Sequence, residues 1–309
     1  MTIVSGLAFI VTAAASILNI HEGLRIAATT VDAGSSWNLL GARLAGGTYS
    51  FAGSDMAYVT RVTSRSVNRA VAPSITDFSP TASGEGSVTI GSDRYWVETA
   101  GKSYSLTNPD PQTLRFEIQP GDQASYDRTN GSACDRSQID GAAGGHIPVG
   151  TPVNVSYQFL LEPNGPNGSF TNSARWFVTA EIQSTAQGTS PPVAIELNGD
   201  RLQVVARYVL PGGNPSNGSS DLHMLTLWTD PKPIQTGKYN DIQIRANVSN
   251  NSSGYLQVSV DGTQVVDYRG PVGFGAPAYW MYGLYRSLTP ETVAASFRNM
   301  TLTTGAAQP

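Results

Sequence analysis

The chain has 309 residues, with 32 glycines, 19 prolines and only 14% charged residues. This length exceeds what one small core needs, and the turn-rich, weakly charged composition favours a mainly β protein over a helical bundle. A net charge of −4 without any basic run argues against a nucleic-acid partner, and a single cysteine with three scattered histidines predicts no disulfide, no metal site and no cofactor.

The first segment with a recognisable pattern is residues 3–24. Residues 3–20 carry no charge, and apolar positions recur at alternating spacings of four and three, as in a heptad seam that forms an oligomer of three or more helices. A helix packed on its own domain has the same spacing. The segment is also just long enough to span a membrane, but it lacks the flanking Lys or Arg residues that anchor such spans. It lacks the basic start of a signal peptide as well. The seam consists of Ile3, Leu7, Ile10, Ala14, Ile17, His21 and Leu24.

The middle of the chain carries weaker signals. Residues 45–72 alternate weakly and include Arg61, Arg65 and Arg69, which fit either a solvated face or an anchoring contact. PSITDFSPTASGEG, from Pro73, is typical of a linker or a run of turns, and SVTIGSDRYWVET predicts a β-hairpin. We therefore predict an anchoring or oligomerisation region at 1–72, with helical and β parts, a linker with a hairpin at 73–100, and a C-terminal domain at 101–309.

The C-terminal domain reads as a series of short alternating strands from Thr113 onward. Turns such as Asn198-Gly199 and Asp261-Gly262 separate them, and no connection is long enough for crossover helices. These features predict a mainly β fold, a two-sheet jelly-roll sandwich with one concave face.

Three ordered segments carry a family resemblance. LRFEIQPGD with Asp135 to Ile139, then WFVTAEIQS, then AYWMYGLYRS resemble the motifs of concanavalin-like jelly-roll polysaccharide lyases of the alginate, glucuronan and heparin lyase types. The resemblance covers about two thirds of the chain. In that family the motifs R-S/T-E, Q-I/V-H and Y-x-K-x-G-x-Y line the concave sheet.

The resemblance implies roles for particular residues. β-Elimination must neutralise a uronate carboxylate, remove the adjacent proton and protonate the leaving oxygen. Arg136 matches the carboxylate-binding arginine, and Tyr285 matches the tyrosine that serves as acid and often as base; both are catalytic only if the chain is active. The ligand-binding set implied is Arg136, Gln138, Glu181, Gln183, Tyr279 and Tyr285.

Four positions depart from the family pattern. Gln183 replaces the histidine, Glu181 the neutralising glutamine, Gln138 the glutamate and Met281 the lysine. A glutamine cannot accept a proton, and losing a general base costs about 10²–10⁴ in rate. A carboxylate at 181 also repels a substrate uronate unless it is protonated or paired. The departures favour an inactive or weakly active descendant.

Aromatic side chains near the motifs are candidates for stacking on sugars, although strand aromatics also pack in cores. Alternation places Tyr279, Met281, Gly283 and Tyr285 on one face of the last motif and Trp280, Tyr282, Leu284 and Arg286 on the other. If Tyr285 faces the groove, Trp280, Tyr282 and Arg286 do not. Trp176 precedes the second motif.

An anchoring region joined to a lyase-like domain resembles the spikes of phages and gene transfer agents. The leading hypothesis is a homo-oligomeric appendage on the surface of a phage-like particle, attached to particle base or capsid proteins, that binds an acidic cell-surface or capsular polysaccharide. One alternative is an active, extracellular polysaccharide lyase. Another is a structural virion protein that binds no sugar. The E-x-D-x-x-E strand of retaining glucanases does not occur.

Overall fold

The computed structural model describes residues 72–305 in full and, before them, the backbone of five strands. The chain divides into two compact units, Met1–Ala70 and Val71–Pro309. In the first unit the described strands form one antiparallel sheet in sequence order. They are β1 (Leu18–Asn19), β2 (Arg25–Ala28), β3 (Leu40–Leu44), β4 (Gly47–Phe51) and β5 (Val59–Val62).

The predicted heptad seam lies outside the described residues at all seven of its positions. Leu18 and Asn19, which fall between seam positions, are described, and they pair antiparallel with Ile26 and Arg25. These two residues are therefore in a strand instead of the predicted helix, because their backbone is extended by pairing with β2. Nor does the described part of the chain contain a helix with the length and apolar character of a membrane span.

The second unit is a two-sheet sandwich of sixteen described strands with one short α-helix, α1 (Ser125–Asn130), and two single 3-10 turns at Gly141–Gly144 and Pro166–Gly168. The strands are β6 (Ile75–Pro80), β7 (Gly86–Ile90), β8 (Asp93–Glu98), β9 (Leu106–Asp110), β10 (Thr113–Ile118), β11 (Cys134–Asp140), β12 (Pro152–Leu161), β13 (Phe177–Ser184), β14 (Val193–Asn198), β15 (Arg201–Tyr208), β16 (His223–Thr229), β17 (Tyr239–Asn247), β18 (Tyr255–Val260), β19 (Thr263–Arg269), β20 (Ala278–Ser287) and β21 (Val293–Thr304).

The two sheets have seven and nine strands. Their orders are β19-β18-β17-β12-β21-β10-β9 and β16-β15-β14-β13-β20-β11-β8-β7-β6. Strands that are distant in sequence lie side by side, as β12 does with β21 and β11 with β20, and these pairs are antiparallel. The predicted mainly β jelly-roll fold is confirmed.

The core lies between the sheets and follows from strand alternation. Every second residue of β12 is fully buried, from Val153 to Leu161, while the intervening side chains are partly exposed. Each such apolar side chain contributes roughly 1.5–3 kcal/mol on leaving water. Trp280, Tyr282 and Leu284 of β20 point into the same core. The predicted two faces of β20 are confirmed.

Residues 73–100 contain three strands of the sandwich, where the sequence predicts a linker with one hairpin. The hairpin is present, since β7 and β8 pair around Gly91, but β6, β7 and β8 are the last three strands of the nine-stranded sheet. Val88, Tyr95 and Val97 are at most 3% exposed and belong to the main core. The division between the units thus falls at residues 70–71 and not near residue 100, because apolar burial outweighs the turn-rich composition.

Candidate functional site

A groove lies on the face of the nine-stranded sheet that points away from the core. Its volume is about 680 Å³, and α1 and the 184–191 loop border it. The three sequence motifs contribute most of its floor. The residues that matter below are Glu98, Tyr126, Asp127, Arg136, Asp140, Trp176, Glu181, Gln183, Glu196, Arg207, Tyr279, Met281 and Tyr285.

The strand register explains how three distant motifs meet. In β11 and β20, Arg136 is opposite Tyr285 and Gln138 is opposite Gly283. In β13 and β20, Glu181 is opposite Met281 and Gln183 is opposite Tyr279. Because side chains directly opposite each other on one face are neighbours, the predicted site residues form one continuous patch.

Gly283 permits the close approach of β11 and β20 in the middle of this patch. Its φ of +133° is a conformation that residues with a side chain rarely adopt. A Cβ atom added there would lie 2.3 Å from the Ser137 carbonyl oxygen and 2.7 Å from the Gln138 Cα. The glycine of the third motif is therefore required by the backbone.

Arg136 is enclosed by the protein's own acceptors. Its Nε and Nη2 donate to the two carboxylate oxygens of Asp127 at 2.7 and 3.1 Å. Its Nη1 donates to Glu98 at 3.0 Å and to Gln138 at 2.8 Å. Four of the five guanidinium N–H donors are thus used, and the side chain is only 9% exposed. The arginine predicted to hold a substrate carboxylate already holds two carboxylates of this chain.

Tyr285 covers one face of that guanidinium. Its ring centroid is 3.7 Å from the Arg136 Cζ and 4.6 Å from the ring centroid of Trp176, with which it makes an edge contact. Burial raises the pKa of the Tyr285 phenol above its ordinary value, and the nearby Arg136 opposes this rise. The phenol is therefore held protonated, which suits a hydrogen-bond donor better than a base.

Glu181 is a buried carboxyl at the floor of the groove. Its Oε1 accepts a hydrogen bond from Gln138 Nε2 at 3.3 Å, and its Oε2 has no protein partner among the described residues. Burial raises the pKa of Glu181 to about 7, with Arg136 and Gln138 opposing the rise. Glu181 and Gln138 thus bond to each other, although the family pattern has these two residue types in the opposite places.

An imidazole is near the groove, but not at position 183. The Gln183 Oε1 accepts from the Ser184 backbone N–H at 2.8 Å and contributes no titratable group. His146 lies next to Tyr279, with ring centroids 5.8 Å apart. Its position follows from a bridge between Ile147 and Ala278 at the start of β20. No local sequence pattern marks His146, because only this long-range pairing brings it to the motif.

Other groove residues come from outside the three motifs. Glu98 reaches the groove from β8 and Asp127 from α1, segments in which the sequence signalled no site. Glu196 and Arg207 form an ion pair of 3.1 Å on β14 and β15. No local pattern marks these residues, since each becomes relevant only through its neighbours in the sheet.

Three of the aromatic and basic candidates lie away from the groove. Trp280 and Tyr282 are each 1% exposed, in the core. Arg286 is fully buried, with its Nη2 3.1 Å from the equally buried Asp135. These positions agree with the predicted alternation.

The fold and the groove together define a two-sheet jelly-roll protein with a groove along the outer face of one sheet. The family model described as "Polysaccharide lyase" matches residues 105–301, so the chain belongs to the polysaccharide lyase family. Among curated proteins, no sequence matches this chain.

Solved structures of lyases are similar to this chain at low identity. An endo-β-1,4-glucuronan lyase from the fungus Trichoderma reesei is 12% identical, with a TM-score of 0.49 over 66% of this chain and 85% of the other. An alginate lyase from Pseudomonas aeruginosa is 19% identical, with a TM-score of 0.43 over 72% and 99% of the two chains.

Proposed function

We propose that the groove binds a polysaccharide chain and holds it without cleaving it by elimination. The observation that carries this proposal is the enclosure of Arg136 by Asp127, Glu98 and Gln138 under the ring of Tyr285. Elimination requires a free positive group for the uronate carboxylate and a base for the adjacent proton. Here the arginine is occupied, and Gln183 is no base.

Binding does not need either group. The groove still presents Trp176, Tyr279 and Tyr285, whose rings and hydroxyls suit stacking on sugar rings and hydrogen bonding to their hydroxyls. A cavity of about 680 Å³ is within the range of ligand sites.

An elimination assay with parallel measurement of retention tests the proposal. The protein is mixed with glucuronan, alginate and uncharged glucans, while ultraviolet absorbance reports any unsaturated uronate and pull-down reports binding. We expect retention of a polymer without rising absorbance. Retention should weaken in Trp176→Ala, which removes a groove wall, and should be unchanged in Met224→Ala, an exposed residue on β16 that does not line the groove. Failure to retain any polymer would contradict the proposal.

Active elimination is the second candidate, and His146 is the observation that favours it. This imidazole is beside Tyr279, a residue that lines the groove, with ring centroids 5.8 Å apart. It would supply the proton acceptor that Gln183 does not. Absorbance that rises with wild-type protein and is lost in both His146→Gln and Tyr285→Phe would establish this activity.

We further propose that the sugar-binding unit belongs to a homo-oligomeric appendage of a phage-like particle. The division at residues 70–71 supports an arrangement in which a separate N-terminal unit attaches to the particle. Antibodies against the chain should label the surface of purified particles in electron micrographs. Labelled protein found only free in the medium would favour an extracellular protein instead.

A further inference from the structure

We propose that the groove selects polysaccharides without carboxylates, and that free amino groups on the sugars strengthen the binding. This inference rests on the proposed function, because it assigns the class of ligand to the same groove. The sequence motifs instead predict an acidic polymer as the ligand. Tight binding of an acidic polymer is therefore the outcome that would contradict this inference.

The first argument is the balance of charge. Five carboxylates and two guanidiniums line the groove among the described residues, and no lysine or histidine is in its lining. The carboxylates are Glu98, Asp127, Asp140, Glu181 and Glu196. A uronate chain would bring further negative charge into a cleft whose low-dielectric walls strengthen the repulsion.

The second argument is that each guanidinium is already paired with a carboxylate of the groove. Arg136 is held by Asp127, Glu98 and Gln138. Arg207 donates to Glu196 at 3.1 Å and to the Pro191 carbonyl at 3.0 Å. A uronate bound to either arginine would share it with a carboxylate that is already paired there, so the negative charge of the uronate would be only partly compensated.

The third argument is Glu181, whose side chain is only 2% exposed and whose Oε2 accepts no hydrogen bond from a described protein atom. A buried acceptor without a partner is costly, and it is stabilised by a donor or a positive charge nearby. Because Oε2 is closed to direct contact, a sugar ammonium group in the groove would stabilise the ionised form of Glu181 by its charge. An ionised uronate would repel that form.

Aromatic side chains extend the groove beyond β8 and add contacts that do not depend on charge. Trp96 is 46% exposed and Tyr126 is 63% exposed, unusual values for such large side chains. They line a cavity of about 350 Å³ that shares Glu98 and Tyr126 with the groove. The Arg94 guanidinium lies 4.7 Å from the Trp96 ring centroid, which orients the indole. A sugar chain leaving the groove would stack on this ring.

Three oligosaccharides with the same β-1,4 backbone separate charge from shape. A glucose oligomer is neutral, a glucosamine oligomer carries amines and a glucuronate oligomer carries carboxylates. Titration calorimetry at low ionic strength near neutral pH should give about tenfold tighter binding of the amine oligomer, and about tenfold weaker binding of the glucuronate oligomer, than of the neutral one. Added salt should narrow these differences.

Variants identify the residues responsible. Glu98→Gln keeps an acceptor for Arg136 but removes charge, so the preference for the amine oligomer over the glucuronate oligomer should fall several-fold. Glu181→Gln should also lower the preference for the amine oligomer over the glucuronate oligomer. Trp96→Ala should weaken all three oligomers alike and leave their order unchanged. Thermal unfolding of each variant reports whether it is folded.

The outcomes are distinguishable. Glucuronate binding at least as tight as glucose binding would overturn the inference and leave the proposed function standing. Equal binding of the glucose and glucosamine oligomers, with the glucuronate weaker, would support exclusion of carboxylates and overturn the role of the amines. Binding of no oligomer, and of none of the longer polymers, would overturn the proposed function together with this inference.

Discussion

At the scale of single residues, Arg136 is first a structural residue. Asp127 is 1% exposed and holds the guanidinium through two hydrogen bonds. Arg136→Ala would leave this carboxylate buried without its cation, which typically destabilises a protein by about 3–5 kcal/mol. We expect that loss in urea denaturation. Tyr285→Phe keeps the ring over the guanidinium and should change the free energy of unfolding by less than about 0.5 kcal/mol. Equal stability of the wild type and Arg136→Ala would show that the network contributes little to folding.

Glu181 gives a second residue-scale prediction, for the dependence of stability on pH. Its pKa rises from an ordinary 4.5 to about 7 on folding, with Gln138, Arg136, Glu98 and Arg207 as the surrounding polar groups. Between these values the folded state keeps a proton that the unfolded state releases, so stability from this group is complete below the lower value and is lost as pH rises through the higher one. The loss is on the order of 3 kcal/mol.

Glu181→Gln removes this titration and leaves the others in place. Denaturation of both proteins across the range from acidic to mildly alkaline pH should show the variant gaining stability relative to the wild type as pH rises. Parallel curves for the two proteins would mean that folding does not shift the pKa of Glu181.

At the scale of elements, the packing of β11 against β20 depends on Gly283. A side chain there would combine a left-handed φ with backbone contacts as short as 2.3 Å. We expect Gly283→Ala to destabilise the protein by about 3 kcal/mol in chemical denaturation, since strain and overpacking each cost 1–3 kcal/mol. Gly262, in the β18–β19 turn, has a φ of +77° but open space around it, so Gly262→Ala reports strain alone and should cost about 1 kcal/mol. Similar losses in both variants would remove the argument for a close approach at Gly283.

The elements also show what local sequence can and cannot reveal. Alternation in β12 and β20 predicts which side chains face the core, because a strand has two faces and one is buried. The strand β6 was predicted as linker because Pro, Ser and Gly surround it, and β7 and β8 were predicted as a hairpin outside the C-terminal domain. The burial of all three depends on a sheet formed by later segments. The groove likewise combines residues that local sequence reveals with residues that it does not. Its motif residues were predicted, whereas Glu98 and Asp127, which neutralise Arg136, come from elements without any pattern of their own.

At the scale of the whole molecule, the chain divides into two compact units, Met1–Ala70 and Val71–Pro309. The second unit contains the groove and a continuous core between two sheets. The proposal that the first unit brings several chains together rests on the apolar spacing that precedes β1, because Leu18 and Asn19 are in a strand and not in the predicted helix. Several weak sites on one oligomer would then hold a long polymer through avidity, without any stronger single site.

This arrangement predicts a difference between the full chain and a fragment of residues 71–309. Both should bind a short oligosaccharide with equal affinity in titration calorimetry, because the groove is the same. On an immobilised long polysaccharide the full chain should dissociate at least about a hundredfold more slowly, since neighbouring sites rebind before the oligomer escapes. Light scattering should show the full chain as a trimer or larger and the fragment as a monomer. Equal dissociation of the two proteins from the long polymer, with both monomeric, would place polysaccharide binding in single grooves and assign residues 1–70 a role other than oligomerisation.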